Sequence, residues 1–315
     1  MWKYIGKRLL IAIPVLIGIT IIDYGLMYLA GNPMKMILGP RVNEAAMAAR
    51  AAQLGLDKPF YIQYFTWIKE VLSGNIGYSI RSYQPVSDMI ISHLWPTLLL
   101  MGTALVISLI VSIPLGIWSA THPYTKMDFS LVALSFLGTG IPSFFLALVF
   151  IWLFTIKIPI LPTGGMSTLG IGGGALDIIK HMILPVSVLS IFQTGLNLRY
   201  IRSSMLEISQ KDYLRTARSK GIGEKRVIWK HGFRNTLLTV ITVIGTEIPS
   251  LIGGSVVVEQ VFSWPGLGLM TMSAISSRDY PVIMGVCLVM AVVVLVVNLL
   301  VDVLYALADP TVELK

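Results

Sequence analysis

This sequence has little charge and almost no cysteine. Asp, Glu, Lys and Arg make up 13% of its 315 residues, against roughly 25% in an ordinary soluble domain. With 55% hydrophobic residues and a mean hydropathy of +0.78, that shortage marks a membrane protein. The single cysteine, Cys287, excludes an internal disulfide; set in a hydrophobic stretch, it reads as a small buried apolar residue. The four histidines, His93, His122, His181 and His231, have no ligand spacing, which argues against a metal site within the chain. There is no G-x-x-x-x-G-K-[ST] phosphate loop and no soluble stretch large enough for a nucleotidase, so any ATP hydrolysis belongs to another polypeptide. No nucleophile and base occur at facing positions, which leaves an intramembrane enzyme unsupported. A proton-coupled secondary transporter using Asp23 or Glu247 would need paired repeats with broken helices, and the halves show none.

What is present is a series of apolar runs. A bilayer core needs around 20 apolar residues per helix, and six stretches meet this: Leu9 to Leu29, Thr97 to Ser119, Phe129 to Phe154, Met182 to Tyr200, Leu237 to Val258, and Val282 to Leu304. The expected fold is therefore an all-α integral membrane protein with six transmembrane helices. Trp95 and Trp118 bracket the second run, and Trp2 and Trp264 lie near other span ends, where amphipathic rings settle at the headgroup level. Residues 1–30 are expected as an N-terminal membrane helix rather than a cleaved signal, because the apolar run exceeds a signal-peptide core. Asp23 within it needs an interior, cavity or partner to face.

The basic residues set the orientation. Lys3, Lys7 and Arg8 precede the first run, and ten Lys and Arg fall between Arg199 and Arg234, whereas the third and fifth connections hold only Lys157, Lys180 and Arg278. The basic side faces the cytoplasm, which places both termini there. Residues 31–96 are then an extracytoplasmic segment with an Ala-rich helical stretch, "VNEAAMAARAAQLGL", a second helix, "FYIQYFTWIKEVL", and a turn-rich return, "SGNIGYSIRSYQP". Residues 97–306 form a five-helix core with a cytoplasmic loop at 205–236, and 307–315 form a cytoplasmic tail.

The loop itself, "DYLRTARSKGIGEKRVIWKHGFRN" from Asp212 to Asn235, is patterned as helix, turn, helix. Ser209 and Asp212 have capping-box spacing. Gly221 stands where a left-handed residue ends a helix, and Glu224 places an acid in the first turn of the next one. Ala217 and Gly221, four apart, are expected to share a face open to close approach by a partner. The surrounding cations suit an acidic protein surface or anionic lipid; no nucleic-acid reading module accompanies them.

Candidates for a solute path are polar or backbone-exposing residues at membrane depth. "GTGIPS" puts Gly140 beside Pro142, which should kink the third span. Glu247 lies in the middle of the fifth span, as path lining or as a structural pair. "EQVFSWPGLG" sets Glu259, Phe262 and Trp264 at an outer turn, as a gate or as an interfacial belt.

The loop resembles the coupling loop of bacterial ABC importer permeases of the dipeptide/oligopeptide/nickel family. Against the general pattern Glu-Ala-Ala-x-x-x-Gly, this chain has Arg215, Thr216, Ala217 and then Gly221, so the Glu contact does not carry over. The resemblance extends through "LGLDKPFYIQYFTWI", "SGNIGYSI", "PVSDMI", "LPTGGM", "GGSVVVEQVFSWPGLG", "SRDYPVI" and "NLLVDVLYALADP", in that order. It implies a multi-pass subunit of the bacterial plasma membrane, surrounded by lipid, that pairs with a homologous second permease. Two cytoplasmic ATPase subunits, which bind the ATP and Mg, and an extracytoplasmic substrate-binding protein would complete the importer. The chain itself would hold no cofactor. Its ATPase-coupling residues would be Arg215, Thr216, Ala217, Lys220, Gly221 and Glu224, and its cargo di- or oligopeptides, with nickel or a metal chelate as the alternative.

Overall fold

A computed structural model describes residues 2–29, 57–168, 170 and 173–308, with side chains at 2–5, 246, 250, 251, 253, 254 and 306–308 excepted. The expected Ala-rich helix of residues 42–56, the ring of Trp2 and the tail beyond residue 308 lie outside the described residues. Among those described, the regular structure is helical: α1 (Trp2–Leu29), α2 (Phe60–Leu72), α3 (Val86–Thr121), α4 (Lys126–Gly140), α5 (Ser143–Ile151), α6 (Ala175–Ser209), α7 (Asp212–Ser219), α8 (Glu224–Arg226), α9 (Phe233–Val261), α10 (Leu267–Ser277) and α11 (Tyr280–Ala308). Single π-helical turns follow α5 at Trp152–Lys157 and α8 at Val227–Gly232.

Four helices, α1, α3, α6 and α11, are long and apolar enough to cross a membrane, or five counting α4 and α5 as one broken span. α9 carries the fifth expected run but includes side chains outside the described set and is not in that count. The distribution of polarity is inverted relative to a soluble protein. Large apolar side chains such as Leu10 (68% exposed), Phe129 (64%) and Ile110 (66%) lie at the surface, whereas Ser108, Ser112, Gln193 and Asn197 are buried. Lipid solvates the former; the latter must find partners inside.

The chain divides into two compact units. One comprises Pro96–Leu269 with Val297–Lys315. Its main core joins Leu100 and Ala104 of α3, Ala147 of α5, Val186 and Val188 of α6, and Val258, Phe262 and Trp264 at the end of α9. A second cluster packs Ile117, Ile201, Met205 and Val240.

The third expected run is not one kinked helix but two, α4 and α5, meeting at 97°. Pro142 has no N–H to continue the ladder, and it takes the N-cap position of α5, its carbonyl accepting the Phe145 and Leu146 N–H groups. α4 lies close along α6. A Cβ added at Gly195 would stand 2.6 Å from the Ser135 carbonyl oxygen, so Gly195→Val is expected to cost about 1–3 kcal/mol by overpacking. Gly140→Ala, with nothing within 4 Å of the new Cβ, should be near neutral. Heat-challenge survival of the purified protein distinguishes the two.

The other unit comprises Trp2–Trp95 with Met270–Val296. α1 meets α2 through aromatic edges: Tyr24 packs on Phe60, Tyr64 and Trp67, Thr20 Oγ1 pairs with the Tyr64 hydroxyl at 2.9 Å, and the Tyr24 hydroxyl donates to Gln63 at 3.2 Å. The turn-rich return is held by Asp279, which accepts from Ser79 Oγ at 2.6 Å and the Ile80 N–H at 3.1 Å. Thus "SGNIGYSI" and "SRDYPVI", 200 positions apart, meet at one carboxylate. Cys287 is exposed on α11 rather than buried as expected, and it is a side chain that Asp23 of α1 faces.

Candidate functional site

The patterned loop folds as a closed hairpin. α7 begins after Lys211, whose side chain forms no cap, and an acid, Asp212, sits in its first turn. The capping box read from Ser209 and Asp212 is absent: α6 runs through Ser209, so that hydroxyl turns back to the Leu206 carbonyl at 2.8 Å. The far end of α7 closes as expected. Gly221 takes φ 74°, its N–H donates to the Arg218 carbonyl at 2.9 Å, and the Ile222 N–H donates to the Ala217 carbonyl at 3.3 Å. These are the two bonds of a Schellman cap. Glu224 then opens α8 and accepts from Arg218 Nη2 at 2.8 Å. That hydrogen bond holds the Glu224 carboxyl below its usual range. Both partners are solvent-facing, so the pair orders the turn more than it stabilises it.

The hairpin has an apolar core of its own, in which Leu214, Ala217 and Val227 pack with Ile208 and Ile222. Ala217 is 8% exposed, which corrects the expectation that it shares an open face with Gly221. It is small because Ile208 and Val227 close over it within the chain. Arg215, Thr216, Lys220, Gly221 and Glu224 are exposed. Asn235 Nδ2 donates to the Tyr213 hydroxyl at 3.1 Å, fastening α7 to the start of α9.

The path candidates fall in three places. Gly140 and Pro142 are exposed at the α4–α5 break. Glu247 is 5% exposed and lies beside Gln193 and Asn197 of α6, while Asn197 Nδ2 reaches Ser108 Oγ of α3 at 3.4 Å. Gln193 and Asn197 escaped the sequence reading. The available signal was two amides four apart, hence on one face of an otherwise apolar helix.

Glu259, Phe262 and Trp264 are 0%, 1% and 0% exposed. Glu259 Oε1 accepts from Thr97 Oγ1 at 2.9 Å, and Oε2 accepts from the Gly268 and Leu269 N–H groups at 2.7 and 3.1 Å. The Leu267 N–H donates to Thr97 Oγ1 at 2.8 Å, and the Trp264 indole N–H donates to the Pro96 carbonyl at 3.0 Å. The Phe262 carbonyl accepts from the Gly165 N–H of "LPTGGM" at 2.8 Å. These residues staple the ends of α3, α9 and α10, so the expectation of an interfacial Trp264 is corrected: its ring is core. Gly266 permits the staple, since a Cβ there would meet Glu259 Oε2 at 2.4 Å.

A groove of about 510 Å³ between α3, α4 and α6 is lined almost wholly by apolar groups such as Val111, Leu134 and Ile191. The hydroxyls of Ser135 and Ser190 there bond to their own helix carbonyls, and Thr194 adds one more hydroxyl to an otherwise apolar lining. Among the described residues, no group of three His, Cys, Asp or Glu side chains is placed to hold a metal.

The model of a family described as "Binding-protein-dependent transport system inner membrane component" matches residues 112–314, and a companion model for its N-terminal part matches 1–101. The oligopeptide transport system permease protein AppB of Bacillus subtilis is 44% identical over 315 residues, covering 99% of this chain and 100% of that protein. The dipeptide transport system permease protein DppB of Alkalihalophilus pseudofirmus is 37% identical over 332 residues, with 99% and 100% covered. The glutathione transport system permease protein GsiC of Salmonella paratyphi A is 36% identical over 316 residues, with both chains fully covered. A chain of the MetNI methionine ABC transporter, solved in inward-facing conformations, superposes with a TM-score of 0.58 at 15% identity over 70% of this chain and 96% of that one; this likeness shows the fold alone. With family matches covering both ends and relatives alike from end to end, the chain belongs to the family of binding-protein-dependent transport system inner membrane components, multi-pass permeases of the cell membrane.

Proposed function

We propose that this permease is one half of the translocation path of an ATP-driven importer of di- and oligopeptides, with six spans and both termini in the cytoplasm. The observation that carries the reading is the α7–α8 hairpin. A topological anchor needs only positive charge; this element also has its own apolar core, a Schellman cap and an internal ion pair. Such rigidity suits a part that receives force. The exposed Arg215, Thr216, Lys220, Gly221 and Glu224 form the face offered to a cytoplasmic ATPase, and Ala217 supports that face from behind. Two such ATPases bind ATP and Mg and supply the work. Their closure displaces the hairpin, and α6 and α9, which enter and leave it, carry the displacement into the membrane as a rigid-body change.

A homologous second permease completes the path, and an extracytoplasmic binding protein delivers cargo. The names of relatives that transport oligopeptides, dipeptides and glutathione support a peptide cargo over nickel. Because Glu259, Phe262 and Trp264 are buried, they act on the outer end of the path by holding helix ends in place rather than by touching solute. Glu247 is read as an interhelical polar pair with α6.

Purification of the tagged chain from native membranes should bring down two ATPases and a sister permease. The complex, reconstituted with its binding protein, should take up labelled peptide, and not Ni²⁺, only when ATP is supplied. Solute movement by the chain alone, or the absence of any nucleotide-hydrolysing neighbour, would sink the proposal. Uptake of Ni²⁺ in place of peptide would overturn the cargo.

A further inference from the structure

We infer that Asp128 and Arg202 form a clamp through which the α7–α8 hairpin moves α3, α4 and α6 as one body; this rests on the function proposed above. Asp128 lies in the first turn of α4 and is 2% exposed. Arg202 of α6 donates to it twice, Nε to Oδ1 at 2.8 Å and Nη2 to Oδ2 at 2.8 Å. Such a planar fork fixes orientation as well as distance. The same carboxylate accepts from the Tyr124 N–H at 2.9 Å and from the hydroxyl of Ser119, near the end of α3. Arg202 Nε also reaches Ser119 Oγ at 3.0 Å. The Asp128 N–H is in turn capped by Thr125 Oγ1 at 3.2 Å, and Tyr124 holds φ 64° in the intervening turn. One carboxylate thereby joins the end of α3, the turn, the start of α4 and the flank of α6.

Its place in the chain gives the clamp a use. Arg202 stands about two turns before Ser209, the last residue of α6, after which Gln210 and Lys211 lead straight into α7. Elsewhere α4 and α6 meet through close packing of small and apolar groups, Gly195 on Ser135 and Gly138 on Ile191, and through the Arg199 guanidinium over the Phe136 ring; such surfaces lack the fixed direction of a forked ion pair and can shift past one another. The fork cannot shift without breaking directional bonds. Stability does not account for it, since an ion pair this buried is commonly matched or exceeded by apolar packing of the same volume. Fixing the register of α6 against α3 and α4 does. Arg202 is otherwise legible only as one of the ten cations that orient the chain.

The test uses the whole transporter in vesicles: both permeases, both ATPases and the binding protein. Asp128→Asn keeps the shape but removes the charge that holds the fork, and Arg202→Lys keeps the charge but loses the fork. Both variants should assemble and hydrolyse ATP within about twofold of wild type, while Asp128→Asn imports about fivefold less peptide per ATP, or lower still, and Arg202→Lys falls between. An unchanged ratio of import to hydrolysis in both variants overturns the clamp. So does a fall of import and hydrolysis together in proportion to lost complex, which is the mark of a merely structural pair. Should Asp128→Asn not assemble, Arg202→Lys decides by the same ratio. A wild-type complex without ATP-dependent import would overturn the proposed function itself, and the clamp with it.

Discussion

Replacing Trp264 by alanine is expected to be among the most damaging single changes in this chain, costing about 3–5 kcal/mol. Its ring is fully buried between Leu100, Val258 and Phe262, so truncation opens a cavity in the main core. It also leaves the Pro96 carbonyl without the indole N–H that donates to it at 3.0 Å, and a buried acceptor stripped of its partner costs about 1–3 kcal/mol. Trp264→Phe separates the two effects, because it keeps most of the ring and loses only the hydrogen bond. Trp95→Ala is the control. That ring is 64% exposed, and its loss should change stability by less than about 0.5 kcal/mol. The measurement is the folded fraction surviving a graded heat challenge of the detergent-purified complex. Equal survival of Trp264→Ala and Trp95→Ala would refute the staple.

At Gly221 the expected loss is functional. No atom lies within 4 Å of a Cβ built there, so bulk is not the obstacle; φ at 74° is. A left-handed residue with a Cβ costs about 1–2 kcal/mol, and asparagine tolerates that conformation better than other side chains. Gly221→Val should therefore open the Schellman cap and let α7 fray, with peptide import falling about tenfold, a loss equivalent to ~1.4 kcal/mol of coupling. Gly221→Asn should retain most of the import. Both variants should reach the membrane at wild-type levels, since the spans are untouched. Import by Gly221→Val equal to that of Gly221→Asn, at equal membrane levels, would show that the cap plays no part in coupling.

Periodicity and charge made much of the fold legible. Apolar runs of membrane length correspond to α1, α3, α6, α9 and α11, and the punctuation of the basic loop foretold the left-handed Gly221 and the helix opening at Glu224. These features are local: a helix follows from its own hydrogen bonds and from the solvent its surface requires, and a cap follows from a few adjacent residues. The errors share a cause. Ser209 has the spacing of a cap, yet α6 continues through it. Ala217 is small for the sake of Ile208 and Val227, not for a visitor. Trp95 and Trp264 look alike in sequence, each at the edge of an apolar run, and one is at the surface while the other is core.

Sequence alone therefore determined that this chain is a helical membrane protein without a G-x-x-x-x-G-K-[ST] phosphate loop, with a basic hairpin between two long helices and the marks of an importer permease. Tertiary structure alone decided what each polar side chain faces. It brought Glu259 to Thr97 and Gly268, Asp279 to Ser79, Glu247 to Gln193 and Asn197, and Asp128 to Arg202 and Ser119. The physical reason is that burying a polar group among apolar helices is costly unless a partner meets it. In these four cases the partner includes a residue from a distant segment of the chain, at a sequence distance that no local pattern encodes.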